Sequence, residues 1–413
     1  MERSKALQRK FKQDYMLRTI SFLFLIISLL LSCRGVRMAK TIPGNNERSH
    51  MLAIFMDGTG DKSHEDERRN TNVKKIHSLT YEHIRSFYVE GVGTGYRVRD
   101  SKYAMSTKER VMGAYRFLSE NYQSKQDSIC LFGFSRGANQ CRILSSFIFT
   151  IGIIDLEQIK EEADKNKLLW NLYDLYVTAG SSFKKNQLAT FINKWELDHP
   201  GQEVAYDTSG TTMIELMGLW DTVEAFTFND TLETGTPVPL HLNQLCNVKK
   251  LFHAVSLDDN RAFNYTPILA THKEVLLQPG QDINSIVEEV WFNGSHKDVG
   301  GGVRRKKMDR LSGLSLNWMW SRVAPYHIFK KPAASIDTFG KVNDMRANWL
   351  LRKTSPGDSL RGINKYWEAM NPDWNQHRIK VHRSVIARLD SGVVQDFKWK
   401  NKKGVRTRSD WSN

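Results

Sequence analysis

Cysteine is scarce. The 413 residues hold four, Cys33, Cys130, Cys141 and Cys246, and none stand in a C-x-x-C spacing, which argues against a disulfide framework and against a metal site built on paired cysteines. Cys130 falls in an apolar, strand-like run and Cys141 on the helix-like stretch after it, so buried free thiols are expected. Long apolar runs are lacking too. The run from Ile20 to Leu31 falls short of the about 20 residues a helix needs to span a bilayer. No internal repeat or low-complexity tract interrupts the chain, and no zinc-finger, RRM or KH pattern accompanies its basic charge, which argues against a nucleic-acid partner.

What is present is enough for a large core: 40% of the residues are hydrophobic and 11% aromatic, which excludes a disordered or fibrous chain and allows one large α/β domain with an appendage, or two domains. The first 32 residues read differently. Arg3, Lys5, Arg9, Lys10, Lys12 and Arg18 precede the apolar run that ends at Ser32 and Cys33, the layout of a secretory signal peptide. Leu30-Leu31-Ser32-Cys33 resembles a bacterial lipobox, so Cys33 is the expected lipidation site and the expected location is the bacterial cell envelope, on a membrane and exported from the cytoplasm. A plain signal or an uncleaved anchor is the alternative. Residues 33–50, polar and containing Pro43-Gly44, read as a tether.

Removing a leader with six basic and two acidic residues leaves +11 of the formal +15. Much of the excess lies in Arg304-Arg305-Lys306-Lys307 and in the tail from Lys398 to Arg408. Such runs usually form solvated surface; the functional reading is attraction to anionic lipid, worth ~1 kcal/mol per basic residue near the surface.

From Met51 onward short apolar runs alternate with helical patterns. Leu52–Met56, Ser86–Glu90, Ser128–Phe134, Thr212–Leu219, Leu251–Leu257 and Ile286–Phe292 read as strands. Val111, Ala114, Tyr115, Leu118 and Tyr122 mark one face of a helix over Thr107–Tyr122; Arg136–Phe149 and Leu311–Val323 are further helices. The alternation predicts an α/β fold with a mostly parallel sheet covered by helices on both faces. A charged, helix-rich insertion over the sheet, about 156–210, carries the apolar patch Trp170, Leu172, Tyr173, Leu175 and Tyr176. The main domain is expected over 51–325. Residues 326–413 hold five of the eleven tryptophans and are expected to form an ordered C-terminal appendage.

Gly133-Phe134-Ser135-Arg136-Gly137 is a G-x-S-x-G match between an apolar strand and a helix, the setting of a nucleophile elbow. Glycines flank the serine because strand and helix approach closely there, and the helix N-terminus favours developing negative charge. A serine hydroxyl needs a general base within hydrogen-bond reach and a carboxylate to orient it. In α/β-hydrolases the chain order is serine, acid, histidine. His296 follows a strand within the glycine-rich stretch Asn293–Gly302 and is the expected base, whereas His253 lies inside a strand and reads as a satisfied core residue. Asp221, ending the strand Met217–Trp220, is the expected acid; Asp258 is second and Asp298, two positions from His296, third. A helix-capping role is the alternative for Asp221. The oxyanion hole is expected from the Arg136 N–H and the loop Asp57-Gly58-Thr59-Gly60, with Gly58 and Thr59 as donors. Gly91-Val92-Gly93-Thr94-Gly95 lacks the Walker lysine and the dinucleotide spacing and reads as a tight loop beside the site. No metal or cofactor is called for.

Taken together, Phe55–Thr59, Thr71-Asn72-Val73, Gly91–Gly95, Gly133–Ala138, Gly218–Val223, His253–Asp258 and Trp291–Gly302 resemble the α/β-hydrolase domain typified by phospholipase effectors of bacterial type VI secretion. The blocks cover roughly Met51 to Trp318, with His382-Arg383-Ser384-Val385 a further weak match. The resemblance implies ester hydrolysis, with lipid or phospholipid as substrate, Ser135 as nucleophile, His296 as base and Asp221 as acid. The leader and lipobox set this chain apart from a secreted effector. Two other readings stand beside this one: the same chemistry on soluble or wall-linked acyl groups, and a non-catalytic lipoprotein that uses the fold for binding.

Overall fold

Six short apolar runs dictate the centre of the molecule. In the computed structural model they form β1 (Met51–Met56), β2 (Arg85–Val89), β3 (Ser128–Phe134), β4 (Ile214–Trp220), β5 (Leu251–Ser256) and β6 (Val287–Phe292). They lie in the order β2-β1-β3-β4-β5-β6, and every pairing among them is parallel. The structure describes residues 50–58, 66–91, 100–179, 185–206, 212–223, 244–259, 261, 266–303, 311–334, 336–343, 361, 366, 369–374, 379–391, 397–398 and 403–404. Strands in such a sheet read as continuous apolar runs because both of their faces are covered, and β3 is buried from Ile129 to Phe134.

Register sorts the strand side chains between two cores. Phe55 pairs with Phe132, and Phe134 with Trp220; with Ala53, Cys130, Phe252 and Phe292 they build one core. It is closed by α1 (Asn72–Ser78) through Val73 and Ile76, and by α7 (Ser312–Val323) through Leu314, Trp318 and Met319. Leu52, Ile54, Ile129 and Leu131 are equally buried but point the other way by the two-residue strand period. There α2 (Asp100–Asn121) and α3 (Arg136–Ile151) pack on β1 and β3. The chain runs from β1 out to β2, then returns to place β3 on the other side of β1. The carboxyl ends of β1 and β3 therefore flank the switch point where open α/β sheets bind their ligands.

Between α3 and β4 come α4 (Glu162–Ala179) and α5 (Lys185–Asp198). The expected aromatic patch is there, and Tyr173 and Tyr176 meet Phe147 of α3 at ring distances of 6.1 and 5.2 Å, so this patch packs on the helix layer. Beyond α7, Phe329 stands edge-on to Phe132 at 5.7 Å. The Trp291 N–H donates to Lys380 O at 2.9 Å and the His382 N–H to Trp291 O at 2.8 Å. Residues 380–382 thus run along β6 and cover an edge that would otherwise present open backbone groups. The helix α8 (Arg383–Asp390) follows them. Of the five tryptophans beyond Pro325, Trp374 is buried; Trp349, Trp367, Trp399 and Trp411 lie outside the described residues.

Two helices depart from expectation. The helix α1 was not anticipated: Thr71 caps it, accepting the Lys74 N–H at 3.1 Å, and seven residues are too few for a visible apolar period. The helix α2 begins at Asp100, ahead of Thr107, because its periodic apolar signal starts only at Val111. Cys130, Cys141 and Cys246 are free and buried, and burial pushes all three thiols up. Among the described residues no helix is long and apolar enough to cross a membrane. Cys33, the tether up to residue 49, Thr59, residues 92–95 of the second glycine-rich loop, Arg304–Lys307 and all of the basic tail except residues 398, 403 and 404 lie outside the described residues.

Candidate active site

The turn from β3 into α3 is strained, and its neighbours explain why only small residues fit. Ser135 has φ 58° and ψ −127°, a conformation costing on the order of 1–3 kcal/mol for a residue with a side chain. It is held there by its N–H, which donates to Trp220 O at 2.9 Å. A Cβ on Gly133 would stand 2.6 Å from the Ala138 Cα, and one on Gly137 would stand 2.1 Å from the Met56 carbonyl oxygen. The hydroxyl is thereby lifted to the end of β3 at the start of α3, where the first N–H groups of the helix have no acceptor within it.

Ser135, His296 and Asp221 come together at the carboxyl edge. Ser135 Oγ lies 2.7 Å from His296 Nε2, and His296 Nδ1 lies 2.5 Å from Asp221 Oδ2. An ionised carboxylate only accepts, so Nδ1 carries the proton and Nε2 is left to accept from the serine. Burial lowers the imidazole's pKa, and the pull of Asp221 in the other direction does not reverse this. The ring is therefore neutral at pH 7, as a base must be. Burial alone would raise the Asp221 pKa; the Arg361 guanidinium and the His296 hydrogen bond outweigh it and hold the carboxyl well below the usual carboxylate range. Asp221 takes φ 38°, a left-handed conformation that Asp tolerates better than most residues.

The other carboxylates nearby hold backbone. Asp258 Oδ2 accepts the Gly294 N–H at 2.8 Å. Asp259 Oδ2 accepts the His296 N–H at 3.0 Å, and its carboxylate is paired with Arg261; that pairing, against the opposing effect of burial, lowers its pKa to about 2. Asp298 accepts from the Ser295 N–H and hydroxyl at 2.9 and 2.8 Å and from the Asn343 side chain, capping α6 (His296–Gly300). His253 is a satisfied core residue: Nδ1 meets Glu289 Oε2 at 2.8 Å, and Nε2 accepts the Thr222 N–H at 3.1 Å.

Asp57 does more than form a turn. Its carboxylate, buried at the end of β1, accepts from the Thr71 hydroxyl at 2.7 Å, the Tyr88 hydroxyl at 2.7 Å and the Gly58 N–H at 2.9 Å. The Gly58 N–H is thus directed at Asp57. Asn72 donates to Val299 O at 2.9 Å and to Ser312 O at 3.1 Å, so the Thr71-Asn72 pair ties the β1 loop to the His296 loop. Sequence reasoning missed several of the side chains here, Asp259, Arg261, Tyr88, Asn343 and Arg361 among them. Asp259 stands beside the weighed Asp258; Asn343 and Arg361 belong to no motif. Arg361, buried, donates to both oxygens of Asp221 at 2.6 and 3.0 Å.

The sequence from residue 50 to 322 matches the family described as type VI secretion system (T6SS) phospholipase effector Tle1-like, catalytic domain. A curated relative, an uncharacterized protein of Saccharomyces cerevisiae, is 25% identical over 234 residues, 52% of this chain and 27% of the relative. Among solved structures, an uncharacterized protein from Pseudomonas aeruginosa is similar at 15% identity and TM-score 0.33, covering 85% of this chain and 55% of that one. The Tle1 effector bound to the VgrG spike is similar at 17% identity and TM-score 0.30, covering 63% of this chain and 52% of that one. The chain thus spans about a quarter of the curated relative and about half of these two structures. With the matched region taking in about two thirds of its length, and the elbow, the Asp57 loop and the His296 loop all inside it, the chain belongs to the Tle1-like phospholipase effector catalytic-domain family.

Proposed function

We propose that the protein is a serine hydrolase that cleaves carboxylic esters of lipids, phospholipids among them. The observation that carries this is the continuous hydrogen-bonded chain from Ser135 Oγ through His296 to Asp221, standing on a strained elbow at the sheet's switch point. In this reading Ser135 attacks the acyl carbonyl while His296 Nε2 takes its proton. The same nitrogen returns that proton to the leaving alcohol, and the acyl-serine is then hydrolysed by water activated in the same way. Asp221 fixes the tautomer and stabilises the imidazolium. The Arg136 N–H, at the first turn of α3, stabilises the oxyanion. The Gly58 N–H is engaged by Asp57, and Thr59, the other donor expected from this loop, lies outside the described residues.

The lipid preference is supported by family membership and by the lipobox-like sequence ending at Cys33. A lipid-anchored envelope protein would meet its substrate in the plane of the membrane, with the basic runs adding affinity for anionic headgroups. Purified protein incubated with mixed phospholipid vesicles should release fatty acid and lysolipid, identified by mass. Ser135→Ala should lower that rate by about 10⁶. Retained turnover in the variant would end the reading, and hydrolysis of short soluble esters with no gain on vesicles would move the substrate to non-lipid acyl groups. Acylation is tested separately: palmitate label should vanish in Cys33→Ala.

A further inference from the structure

The Asp221 carboxylate is fully buried between two strand ends, yet it is not left to the histidine alone. Arg361 Nη1 donates to Asp221 Oδ1 at 2.6 Å and to Ser256 O at 2.7 Å, and Nη2 donates to Asp221 Oδ2 at 3.0 Å. The Ser256 N–H completes the set on Oδ1 at 2.9 Å. One guanidinium therefore fastens the end of β4 to the end of β5 and reaches both oxygens of the carboxylate that faces His296. Arg361 is itself fully buried and lies beyond residue 322, where the family match stops. We propose that Arg361 is a positioning residue of this site, holding the Asp221 carboxylate in line with His296 and balancing its buried negative charge so that the imidazole stays free to accept the serine's proton. The proposal rests on the reading of Ser135 and His296 as nucleophile and base.

The physical need is specific. A buried carboxylate with no cation beside it favours proton uptake, by itself or by the imidazole it touches. Either outcome removes the base: a protonated Asp221 stops orienting the ring, and a ring held as imidazolium takes no proton from Ser135. The other charges facing the pair are already committed. Asp259 is paired with Arg261, Asp258 and Asp298 accept backbone N–H groups of the His296 loop, and Arg388 faces Asp258 and Asp298. Arg361 is the cation that bonds Asp221, and its planar fork matches the carboxylate's two oxygens in a way that an ammonium group does not.

The test uses the full chain with Arg361→Gln and Arg361→Lys and two readouts. The first is the pH profile of kcat/KM on p-nitrophenyl butyrate. The second is the proton-NMR titration of the His296 Nδ1–H signal, identified by its loss in His296→Gln, which requires no turnover. In Arg361→Gln the imidazole–carboxylate pair should take up its proton about one pH unit or more higher. The acidic limb of the profile should move with it, so the deficit is about tenfold or more at pH values below the wild-type limb and shrinks toward alkaline pH. Arg361→Lys should keep the limb near its wild-type position and lose rate evenly across the profile, because the charge is kept and the fork is lost. A folded Arg361→Gln whose limb and proton signal stay in place overturns the proposal. Should Arg361→Gln fail to fold by circular dichroism, Arg361→Lys decides, and a limb displaced by about a unit or more overturns it. If the wild type cleaves no ester, the reading of Ser135 fails on its own, and the proton titration still judges Arg361.

Discussion

This sheet holds two hydroxyl–imidazole–carboxylate chains, one at its carboxyl edge and one that runs from Thr222 inward to His253 and Glu289 within β5 and β6. In one, Ser135 Oγ, His296 and Asp221 are linked at 2.7 and 2.5 Å. In the other, Thr222 Oγ1, His253 and Glu289 are linked at 3.1 and 2.8 Å. Both histidines are buried, both have their Nδ1 on a carboxylate, and both turn Nε2 toward a hydroxyl. What separates them is what else the end groups do. His253 Nε2 also accepts the Thr222 backbone N–H, and Glu289 also accepts from the Ala270 N–H at 2.6 Å and the Thr271 hydroxyl at 2.5 Å. The second chain is closed by backbone at each end and ties β4, β5 and β6 together. The first ends on a serine held on a strained turn. A buried histidine–acid pair is therefore no mark of catalysis by itself; the proposed reading of the first chain rests on the strained elbow that ends it.

That contrast breaks most sharply at the two acids. Asp221→Asn should lower kcat by about 10⁴, because an amide offers a donor to Nδ1 and favours the wrong tautomer, while the melting curve shows whether the fold survives. Glu289→Leu removes three buried acceptor contacts from the closed chain and should cost about 3–5 kcal/mol in denaturant unfolding. The folded fraction should keep kcat within about tenfold, a change of ~1.4 kcal/mol in the barrier. Equal kinetic damage from both substitutions would erase the distinction between a reacting chain and a structural one.

How much of this could be read in the sequence follows from chain separation. The elbow was legible because strand, serine and helix are contiguous, and the two glycines carry a steric demand that spacing alone reveals. All six strands were legible, most of them as apolar runs because burial on both faces leaves little polar alternation, and the edge strand over Ser86–Glu90 as a more alternating one. Asp221 and His296 could be singled out because each ends or follows a strand, which sends its side chain to the same edge. The Asp57 loop reads in the sequence as a source of oxyanion donors, and nothing there marks the carboxylate itself. Its role depends on Thr71 and Tyr88, which reach it from a helix cap and a neighbouring strand. Arg361 was illegible. Its partner is 140 residues away, and one arginine among the chain's many cations carries no local signal of burial.

A third histidine sharpens the comparison by having no acid at all. His77, on α1, is buried between Phe55 and Tyr88 at ring distances of 5.2 and 4.9 Å, and neither ring nitrogen has a hydrogen-bond partner among the described residues. Burial, with Lys74 adding to it, lowers its pKa to about 4 from the ordinary 6.5. With the folded value below the unfolded one, the contribution to stability is fully present above pH 6.5 and is lost as pH falls through about 4. The shift corresponds to roughly 3 kcal/mol across that window. His77→Phe should flatten this part of the stability–pH curve and leave the variant more stable than wild type at pH 5, with kcat unchanged at pH 8. The effect is smaller than either acid's at neutral pH, and it shows what burial, with one neighbouring cation, does to an imidazole that has no acid beside it. If His77→Phe leaves the acid slope intact, the ring is not the group that titrates, and the lowered basicity of His296 cannot be credited to burial by the same physics.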